Sequence, residues 1–223
     1  MRSIAVKSLS ALAGAALLIG APAAMATGSG KVTVGGVDTV GTNAASGTNV
    51  GDLTFDSDAG VPMTCTSSSI TGTVNRGTAV VNGATIGNIS NLGFTGCTAT
   101  DFLYPVTVAS KGTWAIKVVG NPAPKANIVN IEIANVTAQV KSTGSAPLAC
   151  DFEATGTVPG TFNVSTQRIT IASTAFPLNL QAFNGAGTKT PASSTCAGEV
   201  LTGDKANMNG VFSLSVTGGA LSF

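Results

Sequence analysis

The stretch that decides the fold class reads IVNIEIANVTAQV over residues 128–140. Its apolar residues fall on odd positions over 129–133 and on even positions over 136–140. Alternation with a period of two places one set of side chains on one face of a β-strand. The change of phase predicts a β-bulge near Ala134 and Asn135, because neither glycine nor proline is present there to make a tight turn.

The same alternation recurs on both sides of this stretch, in short segments that Gly, Pro and Asn separate. After residue 26, no segment repeats its apolar residues at helical spacing, so we expect little helix. The pattern predicts an all-β protein, an antiparallel β-sandwich with a β-barrel as the alternative. The segments are Leu53/Phe55, Phe102/Tyr104/Val106/Val108, Trp114/Ile116/Val118, Ile169/Ile171, Phe176/Leu178/Leu180 and Phe212/Leu214/Val216.

The composition excludes several function classes. The 223 residues include no histidine, which excludes Ser-His-Asp and Cys-His catalysis and the usual zinc sites. Only 9% of residues are charged, against about 25% in an average protein. The formal net charge of +1 gives no electrostatic footprint for nucleic acid. We therefore predict that the protein is not an enzyme and carries no cofactor.

Residues 1–26 have the pattern of a signal peptide. Arg2 and Lys7 precede an apolar run through Ile19, and small residues stand at the predicted cleavage site after Ala26. The run is shorter than the roughly 20 residues that a transmembrane helix needs. Cleavage removes both basic residues, so the mature chain carries one more acidic than basic side chain. We expect a secreted or cell-surface protein.

The rest of the chain divides by composition. Residues 27–50 are predicted to hold a short strand at 31–34 and a flexible Gly/Thr/Asn-rich segment. Residues 51–223 are predicted to form the β-sandwich domain. Two related halves, at about 51–122 and 123–223, are suggested by a repeated motif that contains the cysteines.

The repeat is Pro-x-x-Cys followed by Gly-Thr-Val, first at 62–74 and again at 147–158. Each copy has one further cysteine downstream. An even number of cysteines in an exported chain, without Cys-x-x-Cys, indicates disulfides rather than a metal or redox site. Three pairings are possible, and the repeat favours one bridge in each half. The predicted bridges are Cys65–Cys97 and Cys150–Cys196.

These cysteine motifs, with Gly-Phe-Thr-Gly-Cys at 93–97 and the segment from Pro105 to Trp114, carry a family resemblance. From about residue 51 to 223 the chain resembles small secreted β-rich bacterial proteins of the actinobacterial type. More distantly, it is similar to the secreted family named as activator of alkane oxidation. That name describes an effect and implies no chemistry and no catalytic residue.

Two groups of carboxylates were weighed as sites. Asp52, Asp56 and Asp58 precede a glycine, but the calcium pattern of an EF-hand is absent, so we interpret them as a solvated strand end. Asp151 and Glu153 alternate next to Cys150, as a glycosidase pair would. Because aromatic residues for a sugar cleft are scarce, we interpret this pair as two exposed acids on an edge strand. No metal site and no catalytic residue are predicted.

Trp114 and Tyr104 are the residues most able to stack on a sugar ring. Both alternate with apolar neighbours, so we interpret them as core residues and keep them as candidate ligand contacts.

The leading hypothesis is a secreted, non-catalytic cell-surface or extracellular-matrix protein that acts by binding or self-assembly. A carbohydrate-binding module is the alternative, and a pore in the outer envelope is a further one. Expected partners are a second copy or an envelope polysaccharide, with no nucleic acid and no membrane after signal cleavage. Residues 127–140 combine high β-propensity with a single charge, which favours association through a strand edge. The alternative for this stretch is a central strand that is paired on both sides.

Overall fold

The computed structural model describes residues 30–99, 105–142, 150–184 and 191–223, so the predicted signal peptide lies outside the described residues. Almost all regular structure in these ranges is β, apart from one 3₁₀ turn at Cys196–Gly198. The strands are β1 (Thr33–Val34), β2 (Gly41–Asn49), β3 (Leu53–Asp56), β4 (Pro62–Arg76), β5 (Thr85–Ala99), β6 (Pro105–Ser110), β7 (Trp114–Val118), β8 (Ile128–Ser142), β9 (Asp151–Asn163), β10 (Arg168–Ile171), β11 (Leu178–Ala182), β12 (Ser194–Thr195), β13 (Val200–Leu201), β14 (Lys205–Ala206), β15 (Gly210–Val216) and β16 (Leu221–Ser222).

Twelve of these strands form one antiparallel sheet that closes on itself. The ring runs β2–β4–β5–β7–β8–β9–β10–β15 and returns to β2. The long strands β4, β5, β8 and β9 continue beyond this ring and have other neighbours there. Strand β3 replaces β2 beside β4, β6 replaces β7 between β5 and β8, β11 replaces β10 beside β9, and β14 replaces β15 beside β11. An isolated bridge between Ser57 and Ala206 joins the β3 and β14 sides there. The all-β prediction is confirmed, and the strand pairing describes the barrel that the sequence left open beside a sandwich.

The bulge predicted in the decisive stretch is confirmed. The pairing of β8 with β9 shifts register between Ile133 and Val136, so β8 carries one extra residue. Asn135 adopts φ 60° within this shift. Asparagine tolerates the left-handed region better than most residues, which explains how a bulge forms without glycine. The bulge keeps the apolar residues on both sides of it directed into the core.

The prediction of a flexible segment within residues 27–50 is wrong for residues 41–49. Residues 41–49 form β2, which pairs with β15 on one side and β4 on the other. Main-chain hydrogen bonds on both edges hold this strand, although its side chains have little to bury. Small residues are also needed here, because a Cβ at Gly47 would lie 2.8 Å from the Ser213 carbonyl oxygen. Composition alone does not show such a strand.

Apolar side chains fill the interior of the ring. Trp114, Phe162 and Phe212 are among the largest fully buried residues, and they belong to one continuous cluster. Two apolar cavities of about 40 and 30 Å³ remain. A small-molecule site usually needs about 300–1,000 Å³, so neither cavity has room for such a ligand. The described part of the ring encloses side chains.

The barrel has two ends, which we name the β1–β16 end and the cysteine end. At the first, β1 pairs with β16 and bridges to the β4–β5 connection through Lys31 and Ala79. At the second, residues 191–204 carry β12 and β13 and hydrogen-bond to β11. Val200 from this segment is buried against the larger cavity. Both ends are therefore closed by chain from outside the ring.

Both predicted disulfides are confirmed, and both lie toward the cysteine end. Cys65 and Cys97 face each other across β4 and β5. The second bridge, Cys150–Cys196, joins the start of β9 to the segment 191–204. In each copy of the repeated motif, the glycine of Gly-Thr-Val adjoins a register shift, at Gly72 and at Gly156. A duplication of the two halves would produce this similarity. The relation between the halves stays a prediction.

The interpretation of residues 127–140 as an edge strand is wrong. Strand β8 pairs with β9 on one side and with β6 and β7 on the other, so its polar groups are already used in the ladder. Because both edges of the strand are paired, it needs no charged residues to prevent pairing with another chain. In the residues that the structure covers, no helix is long and apolar enough to cross a membrane.

Candidate functional site

The two candidate ligand contacts do not form a surface site. Trp114 is 1% exposed, and its indole N–H donates to the Lys111 carbonyl oxygen at 3.2 Å. A ring buried in this way cannot stack on a sugar outside the barrel. Tyr104 lies outside the described residues.

Asp151 and Glu153 are not two exposed acids on an edge strand. Strand β9 is paired on both sides, and Asp151 is 5% exposed. Its carboxylate accepts a hydrogen bond from the Gln139 amide at 2.7 Å and lies 3.2 Å from the Lys141 ammonium. Its backbone N–H donates to the Thr195 hydroxyl at 3.0 Å. This network ties the start of β9 to the segment 191–204, which is a structural role.

The carboxylates near β3 also have structural partners. The Asp58 carboxylate accepts the backbone N–H of Lys205 at 2.8 Å. The main chain of Asp56 exchanges two hydrogen bonds with Asn207: its N–H donates to the Asn207 side-chain oxygen, and its carbonyl accepts the Asn207 N–H. Within the ranges that the structure describes, no three His, Cys, Asp or Glu side chains converge as metal ligands would. These groups hold strands together and do not form a binding site.

The outer face of β15, β2 and β4 carries a regular array of hydroxyl groups, which we name the hydroxyl face. It is produced by the alternation of each strand, whose other residues, such as Ile70 and Leu214, pack against the core. Five of its six members are exposed, and Ser213 is half-buried. The members are Ser46, Thr48, Ser69, Thr71, Ser213 and Ser215.

Strand register arranges these hydroxyls in two rows across the sheet. One row runs from Ser213 through Thr48 to Ser69. The other runs from Ser215 through Ser46 to Thr71. Neighbouring members of a row lie on strands about 4.8 Å apart, and the two rows are separated by roughly 7 Å, two residues along a strand.

The hydroxyls of this face have no hydrogen-bond partner among the described residues, in contrast to many others on the barrel. Ser90 and Thr107, for example, both donate to main-chain carbonyls. A hydroxyl group can donate one hydrogen bond and accept two. The hydroxyl face therefore presents its full hydrogen-bonding capacity to whatever lies outside it.

The surface above this face is a shallow trough of about 410 Å³, and no charged residue lines it. The nearest charge in register is Arg168 on β10, which pairs opposite Ser213. An uncharged hydroxyl surface recognises neutral polar ligands and gives no electrostatic attraction to ions. Chemically, the arrangement can bind but offers no nucleophile with an adjacent base.

The sequence analysis missed this face, although a signal for it exists. The pairs Ser46/Thr48, Ser69/Thr71 and Ser213/Ser215 each stand at i and i+2, so each pair lies on one strand face. Only the pairing of β2 between β15 and β4 brings the three pairs together. Because the sequence predicts a flexible segment within residues 27–50, it does not predict this adjacency.

Comparison with known proteins gives no family model, no curated protein and no solved structure that matches this chain. The resemblance that the cysteine motifs carry therefore stays a prediction.

Proposed function

We propose that this chain is an exported, non-catalytic binding protein whose hydroxyl face holds a neutral polysaccharide of the cell envelope. The observation that carries the proposal is the pair of hydroxyl rows on β15, β2 and β4, which have no partner among the described residues. The two disulfides suit an extracytoplasmic protein.

A sugar chain fits the chemistry and the spacing of this face. Neutral sugars present hydroxyl groups at every residue, and they need donors and acceptors rather than charge. An extended pyranose chain advances per sugar by a length close to the strand spacing of about 4.8 Å. A chain lying across the strands would therefore meet one pair of hydroxyls at each strand, such as Ser46 and Thr48 on β2.

The twist of the sheet favours a single chain over a flat crystalline surface. Neighbouring strands rotate by roughly 20–25°, so three strands turn the array by about 40–50°. A planar lattice would lose contact over that turn, whereas a flexible chain can follow it. Because no aromatic ring lines the hydroxyl face in the described part of the chain, hydrogen bonds rather than ring stacking would supply the affinity there.

The test is binding of the mature chain, residues 27–223, to insoluble neutral polysaccharides and to purified cell wall. The triple variant Ser46→Ala, Thr71→Val, Ser215→Ala removes one complete row. At about 1 kcal/mol for each hydrogen bond, we expect a loss of roughly 100-fold in affinity. Thr155→Val is the matched control, since Thr155 is exposed on β9, two strands beyond β15 and outside the hydroxyl face.

Two results would contradict the proposal. One is that none of the polysaccharides retains the wild-type protein. The other is that the triple variant, with an unchanged circular dichroism spectrum, binds as well as the Thr155→Val control.

A further inference from the structure

The β1–β16 end differs from the cysteine end in its exposed apolar side chains. Eight large hydrophobic residues are exposed in the described part of the chain, and five of them lie in or next to the connections at the β1–β16 end. Val40 is 90% exposed and Ile128 is 56% exposed, whereas Leu201 alone represents the cysteine end. Scattered exposed valines are ordinary, but five at one end form an apolar rim. The rim consists of Val37, Val40, Val81, Val119 and Ile128.

Charge is divided between the same two ends. Among the described residues, four basic side chains lie at the β1–β16 end, against one acidic side chain, Asp38. The basic residues are Lys31, Arg76, Lys125 and Arg168. Lys117 and Glu132 face each other on the wall and cancel. Over the residues that the structure describes, the cysteine end is acidic, because six carboxylates lie there against the two basic side chains of Lys141 and Lys205. Those carboxylates are Asp56, Asp58, Asp151, Glu153, Glu199 and Asp204.

The chain also enters the barrel at the β1–β16 end. The carbonyl oxygen of Gly30, the first described residue, accepts a hydrogen bond from the Val80 N–H, and Lys31 bridges to Ala79. The predicted signal peptide at residues 1–26 directly precedes this point.

From the apolar rim and the distribution of charge we propose that the β1–β16 end binds an anionic lipid surface, with the acidic end pointing away. Aliphatic side chains enter the interface between headgroups and acyl chains, and basic side chains pair with anionic headgroups. An acidic opposite end is repelled by the same surface, which fixes the orientation. This contact revises the expectation that the mature chain has no membrane partner, and it is a surface contact rather than a span.

This orientation leaves the hydroxyl face on the side wall of the barrel, where it stays accessible. The two proposals are therefore independent, and each can fail without the other. The variant Ser46→Ala, Thr71→Val, Ser215→Ala should keep its affinity for lipid.

The test is co-sedimentation of the mature chain with vesicles of phosphatidylcholine, with and without phosphatidylglycerol. We expect binding only to the anionic vesicles, with release in high salt. Each basic residue near such a surface contributes about a fivefold gain in partition, so Lys31→Gln with Lys125→Gln should lose roughly 25-fold. Val40→Asp should also weaken binding. Leu201→Asp, at the cysteine end, is its matched control.

Three results would overturn the proposal. If the protein does not bind vesicles, or binds neutral and anionic vesicles equally, it does not recognise an anionic lipid surface. If Val40→Asp and Leu201→Asp lose the same amount of vesicle binding, the contact is not specific to the β1–β16 end. The third result is a protein that does not bind vesicles but forms larger particles without lipid, and these particles dissociate in high salt. This result would show that the basic end binds the acidic end of a second copy.

Discussion

The two ends of the barrel are closed by segments that the chain holds in chemically different ways. At the cysteine end, residues 191–204 are joined to the wall by the Cys150–Cys196 bridge and by the network around Asp151. At the β1–β16 end, the closure depends on packing and hydrogen bonds. Phe223 packs edge-on against Phe162, and Gln167 hydrogen-bonds to both polar groups of Leu221. One closure therefore resists local unfolding covalently, and the other depends on burial.

The largest effect should come from removing the covalent closure. The double variant Cys150→Ala, Cys196→Ala opens a loop of 46 residues, which should cost about 4 kcal/mol and lower Tm by roughly 8–16 °C. Calorimetry measures the global loss, and amide hydrogen exchange measures the local one. The Cys65→Ala, Cys97→Ala variant is the control, because its bridge lies inside a continuous ladder. If exchange in residues 191–204 rises equally in both variants, the local part of the comparison is wrong.

A smaller loss is expected at the other end from Phe223→Ala. Phe223 is buried, and its ring lies 5.6 Å from that of Phe162, so truncation should cost about 3 kcal/mol. Urea denaturation measures this change. Phe176→Ala serves as the control, since Phe176 is 39% exposed and should lose far less. Similar losses in the two variants would show that ring burial at this end contributes little.

The hydrogen bonds of Gln167 should contribute less than the ring. The Gln167 amide donates to the carbonyls of Val164 and Leu221 and accepts the Leu221 N–H. Its backbone has φ 53°, so Gln167→Gly removes the side chain without adding strain. We expect a loss of about 2 kcal/mol by urea denaturation. Thr166→Ala, in the same turn, should stay near wild type, and a matching loss there would assign the effect to the turn.

The smallest effect concerns the ion pair at the cysteine end. Lys141 is about half exposed, so water can replace its ammonium beside the buried Asp151 carboxylate. Lys141→Gln should therefore cost about 1 kcal/mol or less at low salt. The difference from wild type should shrink as salt is added, because screening weakens the pair in the wild type. A loss that does not change with salt would contradict an electrostatic contribution.

Period-two patterning, the bulge and the disulfide pairing could be predicted because each depends on local sequence. The shift of phase before Val136 requires an extra residue wherever β8 lies in the fold. The repeated Pro-x-x-Cys motif identified the correct bridges, Cys65–Cys97 and Cys150–Cys196.

The features that were missed depend on which strands become neighbours. Residues 41–49 have no apolar side chain larger than alanine, and only pairing on both edges makes them a strand. Asp151 was expected to be exposed because acids usually are, but Lys141 and Gln139 from β8 bury it with partners. The hydroxyl face could not be foreseen for the same reason. Sequence patterns indicate what each strand presents, whereas ring closure decides which faces meet.

The pairing of β1 with β16 has a consequence for how the chain can be rearranged. Thr33 lies opposite Ser222, and Gly30 is in contact with Phe223, so the two ends of the barrel chain are neighbours in space. A short linker could join Phe223 to Gly30 and make the backbone circular. New termini could then be opened in the exposed connection at 120–125, between β7 and β8. A permuted barrel of this kind would carry any fused partner beside the apolar rim.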